Sequence, residues 1–210
     1  MSLSSSKSLL PSPAPGRFFQ RRPGAIVVLH WATAFVLVAV VALILVREDI
    51  EGRLLRTWLL DGHRAFGTLA FVLTLVRLAA RVRHHPLREV VATPVAHRTA
   101  IGAMHVALYA LLLAVPLLGW AVSSARGQDV SVFGLMMLPR LGAPDEDFAD
   151  TLCDLHEGAA WFLIAGVGLH AAAALWHHFV LRDPVLLAML PSRAGGEAIF
   201  SSTASESTEA

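Results

Sequence analysis

His156 and His170 stand fourteen residues apart in a long apolar run. Fourteen residues is close to four turns of α-helix, so both imidazoles face the same way. A rise of about 1.5 Å per residue separates them by ~21 Å along the axis, most of the depth of a ~30 Å hydrocarbon core. One membrane helix thus offers two stacked metal ligands. An imidazole inside hydrocarbon is costly enough to imply a function.

Two further histidines match these in depth. His30 falls about six residues into the first apolar run, level with His170, because alternate spans run in opposite directions. His63 opens the second run and His156 the fourth, at the opposite face. Two facing pairs at two depths are what two bis-imidazole metal centres require. Haem fits better than zinc: two histidines fill the axial positions of a porphyrin iron, whereas a structural zinc takes four protein ligands. A flat macrocycle also needs room, and small residues accompany the histidines: Gly67, Gly158, Gly166, Gly168 and Ala171 to Ala174. Close helix packing in lipid explains such residues equally well. The single Cys153 excludes an internal disulfide, a CxxCH haem attachment and a cysteine-based cluster.

The remaining histidines are less telling. His84 and His85 follow Arg83 in a polar connection, and His97 sits at a membrane edge; all three read as solvated. His105 lies two turns into the third span, and His177 is seven residues past His170 on nearly the same face. A buried His105 is either merely hydrogen-bonded or part of a quinone site, a role open to His177 as well, while His178 points elsewhere.

The elements that position these residues are membrane helices. Of 210 residues, 55% are hydrophobic and 16% charged, with a mean hydropathy of +0.60; this is too apolar for an ordinary soluble domain. A net charge of +1 gives no sign of a nucleic-acid partner. Four spans are expected, at about 24–46, 63–82, 99–123 and 154–181. The second carries Arg77, which can snorkel, and the third carries Pro116 and Gly119, tolerated as a kink where neighbours cover the freed carbonyl. No period-two alternation suggests spanning strands. Fold class is therefore all-α, an integral membrane four-helix bundle at 23–191. It lies between a disordered arm at 1–22 and a disordered tail at 192–210. The apolar run after the basic arm is about twice a signal core and ends without a small-residue cleavage site, so it is kept as the first helix.

At this point the motifs converge on a resemblance. The run from Val27 through His30 and Trp31, Gly62-His63-Arg64, Tyr109 to Gly119, Leu155-His156-Glu157, and the stretch from Gly168 through His170 to His177 and His178 resemble the bacterial cytochrome b561 family. These are four-helix dihaem membrane proteins, and the likeness covers about 21–191. It implies two haem b, with His30 and His170 binding the cytoplasmic-side haem and His63 and His156 the periplasmic-side haem. The nearest likeness is to superoxide oxidases, which pass an electron from superoxide to ubiquinone; in those, histidines matching His105 and His177 lie near the quinone. The long N-terminal arm, the Ser-rich tail and a more acidic outer loop depart from that pattern.

Two functions follow from this likeness. One is a self-sufficient oxidoreductase between periplasmic superoxide and ubiquinone. The other is a membrane-anchor cytochrome b subunit relaying electrons between a separate dehydrogenase or hydrogenase and the quinone pool. Outer connections of about sixteen and thirty residues are too small for docking domains and mildly favour the first. A histidine-lined metal transporter would want acids within the spans, and none occurs at 159–181. Outer arginines, Arg64 and Arg126 among them, suit steering of a small anion or binding of haem propionates, the latter best for Arg64 beside His63. The expected partners are thus membrane lipid, quinone, and superoxide or another periplasmic electron donor.

Orientation follows from the positive charges. The arm, the second connection with its flanks, and the tail hold eleven of them, Lys7 and ten arginines, against six on the other side: Arg47, Arg53, Arg56, Arg64, Arg126 and Arg140. The positive-inside rule places both termini in the cytoplasm of a bacterial inner-membrane protein. Alkaline phosphatase fused after residue 210 should accordingly be inactive, and fused within 126–145 active. The opposite pattern would invert the topology.

Overall fold

The computed structural model describes residues 24–83, 95–182 and 186–190. The arm at 1–22, the tail at 192–210, and His84, His85 and Arg88 lie outside the described residues. Four long helices dominate: α1 (Gly24–Asp49), α2 (Arg53–Arg83), α3 (Val95–Ala125) and α4 (Glu146–Phe179). All four are long and apolar enough to cross a membrane. Two short strands, β1 (Val130–Val132) and β2 (Met136–Leu138), form an antiparallel hairpin between α3 and α4.

The helices form two antiparallel hairpins. α1 turns into α2 through residues 50–52 and packs extensively on it, as α3 does on α4; α2 also meets α3. α4 makes at most marginal backbone approaches to α1 and α2. The bundle is therefore parted along one side. Its interior is built from small or compact residues such as Ala65, Ala70, Thr74, Ala149 and Leu163, as expected where helices associate by close approach in lipid. Thr33 and Thr74 donate their hydroxyls to the Leu29 and Ala70 carbonyls, both at 2.7 Å, so neither is left unsatisfied. Large apolar side chains, among them Val28, Phe35, Val106, Phe162 and Leu169, face outward. That surface suits hydrocarbon and would be untenable in water.

Two helices begin well before their expected spans. α2 starts at Arg53 and α4 at Glu146, so His63 and His156 each lie about three turns inside their helices rather than opening them. The added turns carry Arg53, Arg56 and Asp61 on one helix and Glu146, Asp147 and Asp150 on the other, charges that fall outside an apolar window but suit a helix emerging from the bilayer. Asp145 caps α4 by accepting from the Phe148 N–H at 3.0 Å. Pro116 lies inside α3.

The 126–145 segment is fastened to the end of α3. The Leu141 N–H donates to Ser124 Oγ at 2.6 Å, Trp120 Nε1 to the Pro139 carbonyl at 3.1 Å, and the Asp145 N–H to the Ala125 carbonyl at 2.9 Å. The three-residue hairpin loop 133–135 has positive φ at Phe133 (51°) and Gly134 (72°), closed by the Leu135 N–H on the Val132 carbonyl, the signs of φ that a primed β-turn requires. A bulky residue in that conformation is unusual, and Phe133 sets its ring edge-on against Phe66 of α2 at 5.2 Å. At the opposite end, Trp31 Nε1 donates to the Met189 carbonyl at 2.6 Å and ties a short 3-10 turn, Leu187–Met189, to α1.

Gly127 opens the loop with φ of 65°, and an added Cβ would lie 3.1 Å from Pro144 Cγ. Gly127→Ala should cost about 1–2 kcal/mol, the left-handed penalty for an L residue, and lower the thermal unfolding midpoint in detergent. An unchanged midpoint would mean that the loop re-forms without strain.

Candidate metal centres

Each of the expected histidine pairs meets across the parted side of the bundle. The His30 and His170 rings have centroids 6.3 Å apart at an interplanar angle of 70°, and the His63 and His156 rings 6.2 Å apart at 83°. Metal–imidazole bonds of about 2.0–2.1 Å, with each ring nitrogen ~1.1 Å from its ring centre, put the centroids of two rings bound trans to one ion about 6.3 Å apart. Either angle is compatible with rings twisted about a shared axis. Where α4 scarcely approaches α1 and α2, four side chains thus face one another at the spacing that a bis-imidazole ion demands.

Backbone carbonyls orient the pair nearer the α1–α2 turn. His63 Nδ1 donates to the Val40 carbonyl at 2.9 Å and His156 Nδ1 to the Val115 carbonyl at 3.0 Å. Each bond places the proton on Nδ1 and leaves Nε2 as the lone-pair nitrogen, the arrangement typical of ligating histidines. Val115 immediately precedes Pro116 on α3. A Cβ on Gly119 would lie 3.0 Å from His156 Cε1, so α3 lies closely against that ring and a side chain at 119 would have to displace it. Neither feature was foreseeable as more than a tolerated kink, because the partner of Gly119 lies on another helix and a carbonyl acceptor has no sequence signature.

The other pair is less constrained. His30 Nδ1 is buried with no hydrogen-bond partner, and the Trp31 ring stands edge-on to His30 at 5.5 Å. His105 of α3 packs its ring 5.6 Å from that of His170 and donates Nδ1 to the Ile101 carbonyl of its own helix at 2.7 Å. His177 is half-buried about two turns beyond His170 on α4. Of the small residues, Gly166 makes a close approach, its added Cβ lying 3.2 Å from Leu108 Cδ2, whereas one at Gly67, Gly158 or Gly168 would meet nothing within 4 Å.

Among the described residues, no three His, Cys, Asp or Glu side chains converge as a metal site. The donor set is two imidazoles per centre and nothing more. An ion that brings its own equatorial ligands fits such a set, and a tetrahedral zinc does not. A porphyrin iron therefore agrees with the spacing, the Nδ1 hydrogen bonds and the parted helices.

At the loop end the arginines are largely paired. Arg64 binds Gln128 and lies 3.5 Å from Asp61. Arg126 meets Asp150 at 3.4 Å, Arg47 meets Glu48 at 3.1 Å, and Arg140 meets Asp129 at 2.8 Å. The Arg140 guanidinium holds the Asp129 carboxyl below the usual carboxylate range through that hydrogen bond and its charge. This pairing weakens the positive field that anion steering would use, although Arg64 stays next to His63 in the chain.

Comparison with known proteins agrees with this geometry. A family profile described as Prokaryotic cytochrome b561 matches residues 21–192. The chain is 32% identical over 170 residues to the Probable superoxide oxidase CybB of Yersinia pestis, covering 80% of this chain and 94% of that protein. It is 32% identical over 169 residues to Cytochrome b561 homolog 1 of Escherichia coli (strain K12), covering 79% and 94%. It is 34% identical over 128 residues to Cytochrome b561 homolog 2 of the same strain, covering 61% and 68%. The chain belongs to the prokaryotic cytochrome b561 family of membrane haem proteins that transfer electrons.

Proposed function

We propose that His30 with His170 and His63 with His156 each hold a b-type haem, and that the protein carries electrons across the inner membrane from periplasmic superoxide to ubiquinone. The carrying observation is the pair of ring separations, 6.3 and 6.2 Å, at two depths of one bundle. When bound, a haem held between two of these imidazoles would supply one-electron exchange. The name of the Yersinia pestis relative supports superoxide as the donor.

The chain's own residues then do four things. His156 and His170, on one helix, set the separation of the two centres. The Val40 and Val115 carbonyls make His63 and His156 the more electron-releasing ligands, while His30 has no such bond at Nδ1. That asymmetry favours an electron moving from the outer pair to the inner one. His105, against His170, and His177 beyond it stand where protons for quinone reduction can be relayed. Arg64, next to His63 in the chain, would hold a haem propionate with its remaining guanidinium donors, while its pairing with Asp61 and Gln128 leaves little charge for steering anions.

Superoxide generated enzymatically around the purified protein should reduce its haem absorbance, and a soluble ubiquinone analogue should restore the oxidised spectrum and sustain turnover. His156→Ala should lose one haem and its reduction by superoxide; His170→Ala should lose the other and retain superoxide reduction without quinone turnover. Two haems that superoxide cannot reduce would contradict the donor and assign the protein to relaying electrons for a separate dehydrogenase or hydrogenase.

A further inference from the structure

Arg77 is a cation at membrane depth without a matching anion among the described residues. It lies six residues from the end of α2, as His30 lies six from the start of α1, so the two occupy the same level of the bundle. Its Nε is buried with no hydrogen-bond partner, and no carboxylate lies within ion-pair distance of it among the described residues, whose ion pairs gather at the other end of the bundle. The Tyr109 ring lies 5.5 Å from Arg77 Cζ and 5.8 Å from Arg81 Cζ. Two guanidiniums one turn apart on α2 thus converge on one aromatic ring of α3. Like charges at that spacing repel, and a ring face satisfies neither fork of N–H donors. An intramembrane arginine faces a partner or a cavity by default.

We infer that Arg77, steadied by Tyr109 and with Arg81 beside it, is a carboxylate receptor for the haem held by His30 and His170, taking a propionate at the buried Nε edge. The inference rests on the dihaem reading above. Bidentate binding of carboxylate is the geometry a guanidinium is shaped for. It also places a fixed positive charge beside the inner centre, which raises its reduction potential and so adds to the outward-to-inward preference set by the ligand hydrogen bonds. A lipid phosphate at the cytoplasmic surface offers the same anionic oxygens, but Arg77 lies at the level of His30 in the bundle and its Nε is buried.

The test uses full-length protein carrying haem labelled with 13C in its propionate carboxyls, with redox titration and redox-difference infrared spectra of wild type, Arg77→Gln and Arg77→Lys. Arg77→Gln should lower the midpoint of one haem only and shift one labelled carboxylate band. Arg77→Lys, which keeps the charge and loses the fork, should shift the band while holding the midpoint near wild type, and it serves if the glutamine variant does not fold. Labelled bands and midpoints identical to wild type in both variants would overturn the inference and leave the guanidinium to a lipid phosphate. A wild-type protein with fewer than two haems, or one in which His30→Ala loses none, would fell the dihaem reading itself, and the inference with it.

Discussion

An imidazole in hydrocarbon must find a partner, and here the partners lie across a gap. An unsatisfied polar group at that depth costs several kcal/mol, yet four histidines occupy the interior of a bundle whose α4 hardly approaches α1 or α2. Helix packing alone would close that side with small residues, as it does between α1 and α2. Instead α4 leans on α3 and extends His156 and His170 toward His63 and His30. The bundle is two helical hairpins joined where α2 meets α3 and β1, and across its parted side two pairs of imidazoles face one another.

The two ends of the bundle treat their histidines differently. Near the hairpin loop, both rings are pinned by carbonyls, α3 presses on His156 through Gly119, and Phe133 closes over Phe66, one turn past His63. The surrounding arginines are matched by Asp61, Asp129 and Asp150. At the other end His30 lacks a partner at Nδ1, His105 crowds His170, and the arginines of α2 meet a tyrosine rather than acids. One end is polar and paired among its own residues. At the other, His30 Nδ1 and Arg77 Nε are buried without a hydrogen-bond partner among the described residues.

Much of this was legible in the sequence because membrane helices must be apolar and long, and because a polar group within one is conspicuous. The spans, the all-α class and both histidine pairs follow from hydropathy and the 3.6-residue period alone. The starts of α2 and α4 do not, since their first turns are charged and lie beyond the hydrocarbon, where hydropathy carries no signal. The β-hairpin at 130–138 was equally hidden: its strands are three residues each, and Phe133 occupies a turn position that composition would assign to Asn or Gly. Gly119, Val40 and Val115 act through tertiary contact, which no local pattern reveals. Arg77 read as a snorkelling residue because its six-residue distance from the helix end permits that, and only the facing Tyr109 shows that it turns inward.

The spin state and number of the irons test the paired-imidazole arrangement most directly. Pyridine haemochrome quantitation combined with electron paramagnetic resonance and near-infrared magnetic circular dichroism of the oxidised protein, purified alone, should give two haem b per chain. Both should be low-spin, with two nitrogen axial ligands. A single haem per chain, or a high-spin iron that takes up cyanide or carbon monoxide, would contradict it.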